Sequence, residues 1–178
     1  MSAIQENLKK SNIEYASTFD KGHLPLPPGK KYLVLTCMDA RIDPAAALGI
    51  DLGDAHVIRN AGASARDALR SIVISQQLLG TREIVLVKHT GCGMLTFSND
   101  DARALVKQNL GQSAAAEVAG LDFLPFGDLE KAVREDVEFL RGSGVVITES
   151  EGQGSQAGGG RVSGWVYEVE SGKVREVV

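Results

Sequence analysis

Tyr32-Leu33-Val34-Leu35-Thr36-Cys37-Met38-Asp39-Ala40-Arg41 decides how this chain is read. Its first five residues form a continuous apolar run rather than an alternating one, the pattern of a strand buried on both faces. A cysteine, an aspartate and an arginine follow at once, at every second position. Just upstream, Leu24-Pro25-Leu26-Pro27-Pro28-Gly29 stops any helix, because proline lacks the amide donor and forces its predecessor towards extended geometry.

Working outward, the same alternation of buried strand and amphipathic helix continues. His56-Val57-Ile58 reads as a second strand. Residues 64–79 carry Ala65, Ala68, Leu69, Ile72, Val73 and Leu79 at helical spacing, with Gly80 as the stop. Residues 83–87 form a third buried run. Ser98 caps a helix whose first turn holds Asp100 and Asp101. Residues 128–141 repeat the stripe through Leu129, Ala132, Val133, Val137 and Leu140, and Val145-Val146-Ile147-Thr148 reads as a fourth buried strand. The end reads as a hairpin, residues 165–170 and 173–178 around Ser171-Gly172. Asp43-Pro44 reads as a helix start, and Asp51 and Asp54 as turn residues around Gly53. The pattern predicts a three-layer α/β fold, a mostly parallel central sheet with helices on both faces and a C-terminal antiparallel hairpin. One domain is expected over residues 1–178. Residues 1–28 form an arm with Ile4, Leu8 and Ile13 on a weak stripe, and residues 149–161 form a glycine-rich loop.

Composition narrows the classes. The chain has 178 residues, 43% hydrophobic and 24% charged, which suits one globular core and argues against disorder. A net charge of -4 gives no electrostatic footprint for nucleic acid or anionic membrane, and 5% aromatic content gives no stacking stripe for single strands. The apolar runs are too short to span a bilayer, and no basic-then-apolar leader opens the sequence. Gly158-Gly159-Gly160 lacks the Gly-Lys-Ser/Thr ending of a phosphate loop. Two cysteines cannot build a disulfide scaffold. A cytoplasmic protein is expected, without nucleic-acid or membrane partners.

Both cysteines and one histidine occupy the same kind of place. Cys37 follows the first buried strand, and His89 and Cys92 follow the third within His89-Thr90-Gly91-Cys92-Gly93. In open parallel sheets, functional groups gather beyond the carboxyl ends of strands. If the two strands are neighbours, two thiolates and an imidazole converge, a zinc set that leaves one tetrahedral position open. Asp39 could take that position itself. It could instead pair with Arg41, stay ionised, and orient a zinc-bound water that the metal has made acidic, with a pKa of about 7. In an extended segment Cys37, Asp39 and Arg41 would project to one side. The other two histidines read differently: His23 as solvent-facing, His56 as a hydrogen-bonded structural residue. Arg59 reads as either a structural bridge or a dimer contact.

Cys37-Met38-Asp39-Ala40-Arg41 resembles the C-x-D-x-R signature of β-class carbonic anhydrases, and His89-Thr90-Gly91-Cys92-Gly93 resembles their H-x-x-C-G signature. Arg59-Asn60-Ala61-Gly62 resembles the segment between them, and Gly164-Trp165-Val166-Tyr167-Glu168-Val169 the closing hairpin. The resemblance implies one zinc ion on Cys37, His89 and Cys92, with Asp39 and Arg41 as the catalytic dyad. Asn60, Gly62, Thr90 and Gly93 are the candidate pocket residues; Thr90 bonds either a ligand sulfur or the loop backbone. The resemblance also implies a homodimer or dimer of dimers, with the N-terminal arm on the partner.

The compact chain resembles the short branch of the family, which also contains carbonyl sulfide and carbon disulfide hydrolases. Zinc hydroxide would hydrolyse carbonyl sulfide (COS) to H2S and CO2, or hydrate CO2 reversibly to bicarbonate, with water as the second substrate. The short-branch look leans towards COS. Within the motifs, Lys88 stands where short-branch members often carry histidine, and Gly91 where many carry aspartate. The rivals are a carbonic anhydrase acting mainly on CO2, a non-enzymatic zinc protein closed by Asp39, and a nucleotide- or flavin-binding domain.

Overall fold

The computed structural model describes residues 1–148 and 159–178. Five strands form one sheet in the order β2-β1-β3-β4-β5. They are β1 (Tyr32–Cys37), β2 (Ala55–Asn60), β3 (Glu83–His89), β4 (Arg161–Tyr167) and β5 (Val174–Glu176). The first four run parallel, and β5 closes an antiparallel hairpin on β4 with Trp165 opposite Glu176. The helices are α1 (Ala3–Thr18), α2 (Pro44–Leu48), α3 (Ala65–Gln77), α4 (Asn99–Leu110), α5 (Gln112–Glu117) and α6 (Leu129–Gly142). No helix among the described residues is long and apolar enough to cross a membrane.

The core follows from the patterns that predicted it. β1 and β3 are buried along nearly their whole length. Leu33, Leu35, Ile84, Leu86, Val162 and Val166 meet Ala65, Ala68 and Ile72 of α3 and Val133, Val137 and Leu140 of α6. Helix starts also fall where capping residues stand: Asp43 before α2, Ser64 before α3, Ser98 before α4 and Asp128 before α6 each accept backbone N–H bonds.

Three expectations need correction. Residues 145–148 are not a strand, because β4 takes the place beside β3. Val146 is still buried, and Ile147 is held by the Gln76 side chain, which accepts from its N–H at 2.8 Å and donates to its carbonyl at 3.1 Å. The last hairpin therefore contributes a central parallel strand as well as an edge. The segment after Cys37 is a turn rather than extended chain: Ile42 N–H bonds the Asp39 carbonyl at 3.1 Å. Of the glycine-rich stretch at 149–161, residues 149–158 lie outside the described residues, and Arg161 already opens β4. Helix α1 is regular and carries a capping box at Ser2, yet none of its residues is buried among the described residues.

Candidate metal centre and dyad

β1 and β3 are hydrogen-bonded parallel neighbours, so their carboxyl ends lie side by side. Cys37 ends one and His89 the other. The turn after β3 brings Cys92 back, and one ligand atom from each of the three residues lies within 4.8 Å of the others. All three are buried. Ile42, Met94, Phe97, Phe126 and Tyr167 pack around them and give the cluster an apolar surround.

The ring of His89 has a fixed orientation. Its Nδ1 lies 2.8 Å from the Thr90 carbonyl, which can only accept, so Nδ1 carries the proton. Nε2 is left as a bare lone pair, buried with no hydrogen-bond partner among the described residues. A buried unpaired polar atom is costly. Two thiols beside that lone pair form a soft donor set that could hold a metal ion. The residues fit zinc, with the outer ring nitrogen held as metal-bound histidines usually are.

The two thiols divide one proton unequally. Cys37 is pushed far down towards the thiolate by the Cys92 S–H, against its burial, with help from His89 and from the N–H groups of Asp39 and Gly62. Cys92 is pushed up because it keeps the proton that the pair shares, and burial adds to this. For His89 burial works against protonation, but the Cys37 sulfur and the Thr90 carbonyl outweigh it and raise the ring.

Asp39 stands at the rim. Its Oδ1 accepts from the Arg41 N–H and Nε, both at 2.9 Å, and its Oδ2 accepts from Arg41 Nη2 at 2.7 Å. This forked grip holds the carboxyl well below the usual aspartate range. Oδ2 also lies 3.7 Å from His89 Nε2, so the ionised carboxylate borders the metal cluster while committed to Arg41. Arg41 Nη2 bonds the Gly91 carbonyl at 3.0 Å as well, which ties the dyad to the turn carrying Cys92.

The remaining candidates fall into supporting positions. Asn60 donates to the Ser64 carbonyl at 2.9 Å and accepts its N–H at 2.8 Å, so its amide builds the entry to α3. Gly62 has φ +72°, and a Cβ there would stand 2.7 Å from Met94 Cγ. Thr90 bonds the loop: its hydroxyl donates to Glu170 at 2.7 Å and accepts the Val169 N–H at 3.0 Å. That bond also holds the Glu170 carboxyl below its ordinary value. Gly93 opens the short 3-10 turn after Cys92. His56 bonds Ser75 Oγ at 2.7 Å, and His23 is exposed.

Two further contributors were legible only in part. Arg59 is a bridge, with Nε on the Cys37 carbonyl at 3.0 Å and Nη2 on the Asp39 carbonyl at 2.7 Å. Its motif marked the residue but not its targets. Asp136 ion-pairs with Lys88 at 2.8 Å. The available signal was a carboxylate sitting on the buried stripe of α6, between Val133 and Val137.

The carbonic anhydrase family model matches residues 32–174. "Beta-carbonic anhydrase 1" of Mycobacterium tuberculosis is 38% identical over 98% of both chains. "Carbon disulfide hydrolase" of Acidithiobacillus thiooxidans is 32% identical, covering 84% of this chain and 78% of the relative. Among solved structures, carbonic anhydrase from Glaciozyma antarctica superposes with a TM-score of 0.89 at 45% identity, covering all of both chains.

Proposed function

The chain belongs to the β-carbonic anhydrase family, and on that premise we propose that it hydrates CO2 to bicarbonate at a zinc centre held by Cys37, His89 and Cys92. The observation that carries the reading is Asp39, ionised, gripped by Arg41 through both oxygens and 3.7 Å from the free His89 nitrogen. A carboxylate so committed leaves the fourth position to water, which disfavours the closed-site rival. Zinc supplies Lewis acidity and makes a water acidic enough to attack an electrophilic carbon at neutral pH.

The chain's own groups do the rest. With the metal bound, Cys37 and Cys92 would supply anionic sulfur and His89 a neutral nitrogen. Asp39 can only accept a hydrogen bond, so it would receive one from the attacking water and turn the oxygen lone pair towards the substrate. Arg41 keeps Asp39 in that state. The apolar wall of Ile42, Met94 and Phe126 suits a small neutral molecule.

COS and CS2 share the electrophilic carbon, and the carbon disulfide hydrolase relatives support sulfur substrates as the second reading. The lean towards COS weakens, because the carbonic anhydrases match at 38% and 45% identity over 98% and 100% of the chain, and the Acidithiobacillus thiooxidans carbon disulfide hydrolase at 32% over 84%. Stopped-flow hydration of CO2 and hydrolysis of COS and CS2, on one zinc-loaded preparation, tests this. The expected result is a CO2 efficiency at least about a hundredfold above the others. The reverse order would overturn it, and zinc without activity at any pH would favour the closed site. Ile4, Leu8, Ile13 and Phe19 stand exposed on and just after α1, which supports a homodimer or dimer of dimers built with this arm. Two thiol ligands suit a reducing, cytoplasmic setting.

A further inference from the structure

Lys88 precedes His89 and points to the other side of β3. It is 2% exposed, on a residue type that is almost never fully buried without cause. Its Nζ donates to the Gly62 carbonyl at 2.8 Å and the Ala63 carbonyl at 3.2 Å, and it meets Asp136 Oδ2 at 2.8 Å. Three acceptors satisfy its three donors. The Phe126 ring lies 4.9 Å away and covers the ammonium.

The two carbonyls belong to a backbone that needs holding. Gly62 and Ala63 both have positive φ, at +72° and +53°, and Ala63 is a non-glycine residue in the left-handed region. Ala61, which opens this turn, packs against the cluster that holds Cys37, Cys92 and Met94. Gly62 also packs against Met94, whose carbonyl accepts the Phe126 N–H at 3.1 Å. A continuous set of contacts therefore runs from Asp136 through Lys88 and the 61–63 turn to the cluster that holds Cys37 and Cys92.

We propose that Lys88 is a positioning residue of the metal centre: anchored by Asp136, it clamps the strained 61–63 turn so that Ala61 and Gly62 keep their packing against the cluster of Cys37, Cys92 and Met94. This rests on the zinc reading above. Stability alone does not call for it, because a buried ion pair is often replaced by apolar side chains of similar volume without loss of stability. Two left-handed main-chain carbonyls in a row have no comparable substitute.

The test uses the Lys88→Met/Asp136→Leu double variant, which removes the clamp without leaving a lone buried charge. Three readouts are compared with wild type: urea unfolding, the rate of zinc release to a chelator, and the thiolate charge-transfer absorption of the cobalt-loaded protein. The double variant should stay folded without urea yet release zinc about tenfold faster, with a shifted cobalt band. Lys88→Arg, which keeps the donors, should recover most of the difference. A folded double variant with wild-type release and cobalt spectrum overturns the proposal. If the double variant does not fold, Asp136→Asn is read by the same release assay: faster release supports the proposal and an unchanged rate overturns it. A wild type that takes up neither zinc nor cobalt fails the metal-centre reading, and this inference falls with it.

Discussion

Arg41 Nη2 stands 2.7 Å from Asp39 Oδ2, and Lys88 Nζ stands 2.8 Å from Asp136 Oδ2. Both pairs flank the same two strand ends, but their surroundings differ. The Arg41 side chain is 53% exposed and the Lys88 side chain only 3%. At the rim, solvent screens the charges and the pair adds little to stability. What it provides is a carboxylate fixed as an acceptor beside the metal cluster. In the interior, the charges have lost their water and each depends on the other. That pair holds backbone. Nearly equal distances therefore sit in different surroundings: one pair fixes a carboxylate beside Cys37, His89 and Cys92, and the other holds backbone.

Breaking the cluster that both pairs serve should have the largest effect. Cys92→Ser replaces a soft anionic ligand with a neutral hydroxyl, so dialysed protein should lose most of its zinc by metal analysis, and turnover with it. Breaking the rim pair comes next. Arg41→Ala should keep zinc but lower CO2 hydration by about a hundredfold or more, because Asp39 loses its orientation. Breaking the buried pair on one side only should show in folding. Lys88→Met leaves Asp136 unpaired and should cost about 3–5 kcal/mol in urea unfolding, whereas Arg41→Ala should cost far less. Thr90→Val removes the tie between the metal turn and the terminal hairpin and should lower Tm by about 2–4 °C.

The smallest effect is in pH dependence. The Asp39 carboxyl is held below its unfolded value of about 3.9, so its stabilisation is complete above that value and fades as pH falls below it. The stability difference between wild type and Asp39→Asn should be flat from about pH 5 to 8 and shrink below about pH 4. Unfolding curves across that range check this.

The sequence was most legible where one local cause sufficed. β1 and β3 were plain from continuous apolar runs, and Asp43 and Ser98 marked helix starts by their capping oxygens. The convergence of Cys37, His89 and Cys92 followed from strand ends alone, once β1 and β3 were taken as neighbours. Legibility failed where two segments competed for one place. Residues 145–148 have strand composition, but the register from Glu83↔Arg161 to His89↔Tyr167 fills the site beside β3. It failed too for contacts made across the fold. The apolar stripe of α6 gives no partner for Asp136, and Lys88 registered only as an unusual residue beside a metal histidine. The dyad's residues were visible, but its geometry comes from a turn rather than the extended spacing assumed.

Zinc content and CO2 hydration measured together on Asp39→Asn protein test the central claim most directly. The account predicts one zinc per chain, as in wild type, with turnover lowered by about a hundredfold or more, because the amide no longer acts as a pure acceptor held by Arg41. Wild-type turnover at equal zinc content would contradict it.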